Sequence, residues 1–330
     1  MTTRPVLAVA LFCLAATSPA SGSFLERDGV RAFIEDVAGR EDFNAAELRG
    51  MFEDVERQEA VLEAIAAPAE AMPWYRYRPI FITDPRIGGG IEFVRANADL
   101  LARAERQYGV PPAIVAAIIG VETFYGRHKG RYPVFDTLAT LAFEYPPRSG
   151  FFRRELEQFL LLARDEGIDP RAVTGSYAGA MGMPQFISSS YRHYAIDFDN
   201  DGRRDLWGSN ADVIGSVAAY LADHGWRRGE AIVHRVRPAD DDWRELTRDS
   251  LKPRIDGGAL RAAGLGVEPP VGDGERVHVF ALETETEPEV WVGRRNFYAI
   301  TRYNHSALYA MAVYQLAERI RRGVEAEIAS

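Results

Sequence analysis

The chain has 330 residues, 47% hydrophobic and 26% charged, with a formal net charge of −9. That length accommodates one large domain or two or three smaller ones around a real core. The acidic balance and the lack of any polybasic tract exclude nucleic acid and anionic lipid as expected partners, and no protein partner is indicated.

The first segment, MTTRPVLAVALFCLAATSPASGS (1–23), has one arginine, an apolar run over 6–16, then Ser18, Pro19 and Ala20. This is the three-part layout of a secretory signal peptide, and the run is too short to span a bilayer comfortably. Cleavage fits after Ala20 or after Ser23. The only cysteine, Cys13, lies inside the run with Leu11 and Phe12 before it. A lipoprotein signal has small residues there, so the expected mature chain is exported, soluble and unanchored, with no disulfide.

Residues 24–72 read as helical: Phe33, Val37, Leu48, Met51, Phe52, Val55, Val61, Leu62 and Ile65 recur at helical spacing. MPWYRYRPIF (72–81) reads as an extended connector, and 91–107 as an amphipathic helix. Pro111 and Pro112 open an apolar helix that carries Glu122 and ends at Gly126. Further helices are expected at 135–144, 150–166, 210–224 and 306–321. Between 229 and 295, AIVHRV, RVHVFALET and EVWVGR alternate or run in β-branched residues, with glycines between them. The expected fold class is mainly α, with a small inserted β-containing subdomain. The expected divisions are a leader (1–23), an N-terminal helical region (24–90), a core (91–228), the strand-rich insertion (229–295) and a C-terminal return to the core (296–330).

Three stretches carry chemistry. In AAIIGVETFYG (116–126) one glutamate follows a run with no charge from 113 to 121. A carboxyl desolvated by such neighbours favours its neutral form, and a neutral acid can protonate a leaving oxygen, as glycoside cleavage requires. The alternative is a helix-end glutamate met by solvent or Arg127. In GSYAGAMGMPQF (175–186), Gly175, Gly179 and Gly182 permit close backbone approach to a ligand. Exposed amides beside Ser176 and Gln185 can bind sugar acetamido and hydroxyl groups, with Pro184 starting another helix. The alternative is a plain tight turn. In AIDFDNDGRRDLW (195–207), Asp197, Asp199 and Asp201 stand at positions 1, 3 and 5 of an EF-hand-like calcium loop, with Gly202 at 6. Arg203 offers a carbonyl at 7. Gly208 stands where a glutamate is usual, and Asp212, four residues on, is the candidate to close a longer loop. An acidic solvated turn is the alternative. The six histidines show no zinc-ligand spacing.

GVETFYGR, YPVFDTLATLAF, GSYAGAMGMPQFISSSY, DLWGSNADVIGSVAAYL and RNFYAITRYNHSALYAMAVYQL together resemble the lytic murein transglycosylase B family. The blocks stand in the family's order and span about 74–318. The resemblance implies a lysozyme-like helical core with an added helical domain and a small β-containing domain. It implies a periplasmic enzyme that cuts peptidoglycan glycan strands between N-acetylmuramic acid (MurNAc) and N-acetylglucosamine (GlcNAc), leaving 1,6-anhydro-MurNAc ends. It places Glu122 on the single catalytic acid/base. It places Ser176, Gln185, Tyr220, Tyr303, Asn304, Tyr309, Arg148 and Tyr77 along the sugar groove, and an enlarged calcium loop at 197–212. No cofactor is implied for the chemistry, and calcium would be structural. A hydrolytic muramidase would need a second carboxylate, with Asp136 and Glu144 as candidates. A noncatalytic peptidoglycan-binding protein would not need Glu122.

Overall fold

The computed structural model describes residues 23–66, 72–247 and 250–329. The expected leader therefore lies, but for Ser23, outside the described residues, as does Cys13. The chain splits into two compact units, 1–55 and 56–330. In the first, α1 (Asp28–Glu41) and α2 (Ala45–Glu53) pack through Val30, Phe33, Ile34, Leu48 and Phe52. Asn44 caps α2 by accepting from the amides of Ala46 and Glu47.

The second unit begins with α3 (Glu59–Ile65), α4 (Trp74–Phe81), α5 (Asp84–Ala96) and α6 (Ala98–Tyr108). The connector expected at 72–81 is thus a helix, although Pro79 removes one of its amide donors. Burial outweighs that loss. Trp74 and Tyr77 are buried, and the Arg78 guanidinium donates to Gln315 at 2.7 Å. The helix expected over 91–107 is two. Asn97 breaks it, its side-chain nitrogen donating to Phe93 O at 2.8 Å and its side-chain oxygen accepting from Asn210.

α7 (Pro112–Thr123) is buried nearly all round, packed against α5, α6, α11 (Asn210–Asp223) and α14 (Ala307–Ala329). Pro111 caps it and Pro112 opens it, where a missing amide costs nothing. It stops abruptly. Phe124 (φ 51°) and Tyr125 (φ 58°) take left-handed backbone, which costs a side-chain-bearing residue about 1–2 kcal/mol. Tyr125 offsets this by entering a slot between α5 and α7, its hydroxyl donating to Arg86 O at 2.8 Å. A Cβ on Gly90 or Gly120 would stand 2.5 Å from that hydroxyl, so the slot requires glycine on both walls.

β1 (Tyr132–Pro133) pairs antiparallel with β2 (Thr174–Gly175), bracketing α8 (Val134–Glu144) and α9 (Ser149–Glu166). α10 (Ser188–Tyr194) packs on α9, and α11 follows the acidic loop. The insertion holds β3 (Val233–Val236), α12 (Gly257–Ala262), β4 (His278–Leu282) and β5 (Glu289–Gly293) before α13 (Arg295–Thr301) and α14. Its sheet has the antiparallel order β3-β5-β4 and its own core of Val236, Trp243, Leu260, Val277, Val290 and Val292. The mainly helical expectation with a small β insertion holds. Among the described residues no helix is long and apolar enough to cross a membrane.

His278 at the start of β4 is 5% exposed, and burial pushes its imidazole down to about 4. Its neutral form is the folded form, so the unfolded chain binds the extra proton between pH 6.5 and 4. Stability should therefore fall as pH drops through that window, by up to about 3 kcal/mol at its lower end. Urea unfolding at pH 7 and pH 4.5 checks this, and a His278→Phe chain should lose less stability than the parent between the two.

Candidate active site

Glu122 stands in the last turn of α7, half-buried, just before the left-handed turn. Its Oε1 accepts a hydrogen bond of 2.6 Å from the hydroxyl of Tyr309, in the first turn of α14. The Tyr303 ring lies nearly parallel to Tyr309, with centroids 6.3 Å apart, and its hydroxyl donates to Pro184 O at 2.6 Å. Tyr220 on α11 meets Tyr303 edge-on at 4.8 Å, and its hydroxyl donates to Arg302 O. Phe186 fills the angle between them, 5.6 Å from Tyr220 and 5.7 Å from Tyr303. Burial holds the Tyr303 and Tyr309 hydroxyls well above the usual phenol range, and the nearby Glu122 charge adds to the effect. Both therefore remain neutral hydrogen-bond donors.

The glycine-rich loop closes against this end of α7. The Thr123 hydroxyl donates to Met183 O at 2.9 Å and accepts from the Gly126 amide at 3.0 Å. Ser176 spends its amide on Ala180 O at 2.8 Å, while its Oγ accepts from the Ala180 amide at 3.0 Å. The Ser176 amide is thus consumed inside the loop, where three closely spaced glycines let the backbone fold on itself. Pro184 starts no helix. It sits in a turn with Gln185 at φ 52°, and α10 begins only at Ser188. The Gln185 side-chain nitrogen Nε2 donates to Gly182 O at 2.8 Å and Lys129 O at 3.2 Å, tying the loop to the segment after Glu122.

Of the remaining expected groove residues, Tyr77 is buried on α4 between Trp74 and Phe81, close enough to bear electrostatically on Tyr309. The Asn304 carbonyl accepts from the Ser306 amide at 2.7 Å, in the turn that joins α13 to α14. Arg148 is exposed before α9, its guanidinium 4.3 Å over the Phe151 ring and 5.4 Å from Phe152, outside the Tyr309–Tyr303–Tyr220 chain. Asp136 pairs with Arg171 at 2.6 Å. Burial raises its carboxyl and the Arg171 charge opposes this. Glu144 pairs with Arg57. Sequence reasoning gave no role to Thr123, Phe186 or Lys129. A hydroxyl directly after the acid and an aromatic directly after Gln185 were the available signals.

The acidic loop brings Asp197, Asp199 and Asp212 together, with one carboxylate oxygen from each within 4.8 Å of the others. Asp201 lies outside this group and accepts from the Arg203 amide at 2.9 Å. Asp212 is fully buried; its two oxygens accept from the amides of Phe198 (2.7 Å) and Asp205 (2.8 Å). Burial raises its carboxyl, the two amides oppose this, and the charges of Asp199 and Asp197 add to the rise. Three hard oxygen donors crowded in this way fit a calcium ion, which takes carboxylate and carbonyl oxygen. The loop also reaches the site: the Met183 amide donates to Leu206 O at 2.8 Å, and the Lys129 ammonium to Trp207 O at 2.9 Å.

Comparison with known proteins agrees with this geometry. The family model described as Transglycosylase SLT domain matches residues 26–318. Membrane-bound lytic murein transglycosylase B of Escherichia coli (strain K12) is 39% identical over 309 residues, covering 91% of this chain and 84% of that protein. The soluble lytic transglycosylase SltB1 of Pseudomonas aeruginosa superposes with a TM-score of 0.84 at 48% identity, over 89% of this chain and 98% of that one. The Escherichia coli lytic transglycosylase Slt35, solved in complex with calcium, gives 0.84 at 39% identity, over 92% and 96%. A match along nearly the whole chain, in sequence and in fold, shows that this chain belongs to the lytic murein transglycosylase B family.

Proposed function

We propose that Glu122 is the single acid/base of a peptidoglycan lytic transglycosylase, and that it cleaves the β-1,4 bond between MurNAc and GlcNAc. The observation that carries this is the Tyr309–Glu122 hydrogen bond at the end of a buried helix. Glu122 stands in the last turn of α7, directly after its buried apolar stretch. It donates its proton to the glycosidic oxygen, and the GlcNAc leaves. The muramoyl 2-acetamido oxygen supports the positive charge at C1, so no second carboxylate is required. Glu122, now ionised and steadied by the Tyr309 hydroxyl, takes the proton of the muramoyl C6 hydroxyl. That oxygen bonds to C1, giving the 1,6-anhydro end with no water consumed.

The hydrolytic alternative needs a carboxylate that positions water, and its two candidates are each engaged by an arginine. In this reading Tyr303, Asn304, Ser176 and Gln185 meet the sugars, Tyr77 and Tyr220 back the groove, and Arg148 faces the lactyl or peptide side. Residues 91–228 with 296–330 form the catalytic core. Asp197, Asp199 and Asp212, completed by Asp201 and the Arg203 carbonyl, would hold a structural calcium that stiffens the loop beside Met183. The leader places the enzyme in the periplasm. Digestion of purified sacculi followed by mass spectrometry of the new muramoyl ends tests the reaction. Anhydro ends are expected, and reducing muramic acid ends would overturn it.

A further inference from the structure

We propose that a basic cavity between the strand insertion and α13 is a second binding site, one that takes the carboxylate-bearing peptide of peptidoglycan. The proposal rests on the reading above only in taking peptidoglycan as the substrate. The cavity measures about 950 Å³ and is bounded by the segment after α11, the 269–276 loop and the first turns of α13. Its charges do not cancel. Arg294, 6% exposed, donates to both oxygens of Glu275 at 2.8 Å, to His234 and to Pro269 O, so this pair is scaffold. Arg227 is paired with Glu230 at 3.3 Å. Lys252, Arg276 and Arg295 remain, each exposed and with no salt bridge among the described residues, against Asp273 in the lining and the Asp256 charge that bears on Arg276.

A local surplus of cations on a chain of net charge −9 is a feature that selects an anion. Pro253, Pro269 and Pro270 give the cavity walls of restricted backbone, which suits an elongated ligand held by its ends. The cavity also leads towards the catalytic turn. Lys252 and Tyr298 are shared with a second cavity of about 350 Å³, lined further by His305, Ser306 and Ala307. Those residues follow Asn304 directly, and the Ser306 hydroxyl accepts from the Tyr309 amide at 3.3 Å. A path of polar and cationic side chains therefore runs from the turn behind the acid into the insertion. While the peptide is attached, the muramoyl lactyl carboxyl is taken up in an amide, so the glycan backbone itself offers these cations no charge. The stem peptide carries several carboxylates, and four extended residues reach about 13–14 Å.

The test uses the full chain and a Lys252→Glu/Arg276→Glu variant, both positions being exposed. Thermal unfolding should match the parent. Calorimetric titration with the free tetrapeptide stem (alanine, γ-linked glutamate, diaminopimelate, alanine) should show binding that weakens about tenfold or more in the variant, in line with the loss of two charge-assisted contacts. KM for peptide-bearing strands should rise by a similar factor, while kcat and KM on amidase-stripped strands stay unchanged. A rise on linear strands assigns the site to the stem of the strand being cut; a rise confined to cross-linked sacculi assigns it to a neighbouring strand. Equal tetrapeptide binding by parent and variant, or an equal loss on stripped strands, overturns the proposal. The titration needs no turnover, so a wrong assignment of Glu122 leaves this result readable.

Discussion

Glu122→Gln is expected to lower the release of muropeptides from sacculi by about 10²–10⁴-fold while leaving the thermal transition in place. Glutamine keeps an oxygen where Oε1 now accepts from Tyr309 at 2.6 Å, so the packing of α14 on α7 has no reason to change. What it loses is the proton, in both halves of the reaction: it can neither protonate the glycosidic oxygen nor deprotonate the C6 hydroxyl. The measurement is time-resolved muropeptide analysis at matched enzyme, with circular dichroism melts beside it. Activity within a few-fold of the parent would move the acid elsewhere. Loss of both activity and fold would show that the carboxyl is a structural group.

Asp212→Ala should be the most damaging substitution in the acidic loop. The side chain is fully buried and satisfies the amides of Phe198 and Asp205 at once. Removing it orphans the buried Phe198 amide, at about 1–3 kcal/mol, and the half-buried Asp205 amide, at less, before any ion is considered. Denaturant unfolding should therefore show a loss of about 1–4 kcal/mol even in chelator. In the parent, calcium should raise the melting temperature by mass action, and in Asp212→Ala that rise should vanish. Asp201→Ala, outside the carboxylate cluster, should cost far less in chelator. A parent melting temperature indifferent to calcium would remove the ion from the account and leave Asp212 as a buried double cap.

Much of the fold could be read from local pattern, because local pattern was what formed it. α8, α9 and α11 lie within a residue of the expected helices, and α7 starts where its prolines put it but stops at Thr123, three residues before Gly126. The strands of the insertion were legible from their β-branched runs. α4 was not, because Pro79 argues against a helix and only packing on α14 overrides it. The break at Asn97 was hidden too, since the amphipathic period runs straight through it. At the site, periodicity reached an acid in an apolar helix and no further. Tyr303 and Tyr309 were placed by family resemblance, and no spacing rule links them to Glu122. Thr123 went unassigned because its hydroxyl serves Met183, 60 residues away.

The acid and its hydroxyl donor are 187 positions apart in the chain. Contacts of such separation are closed late, once the intervening chain has been organised. Glu122 leaves the ribosome long before α14 exists, and a chain ending before Ala307 would contain the acid but none of the tyrosine that steadies it. The polar contact at the end of α7 thus waits on the synthesis of α14, whatever the order in which the rest of the core forms.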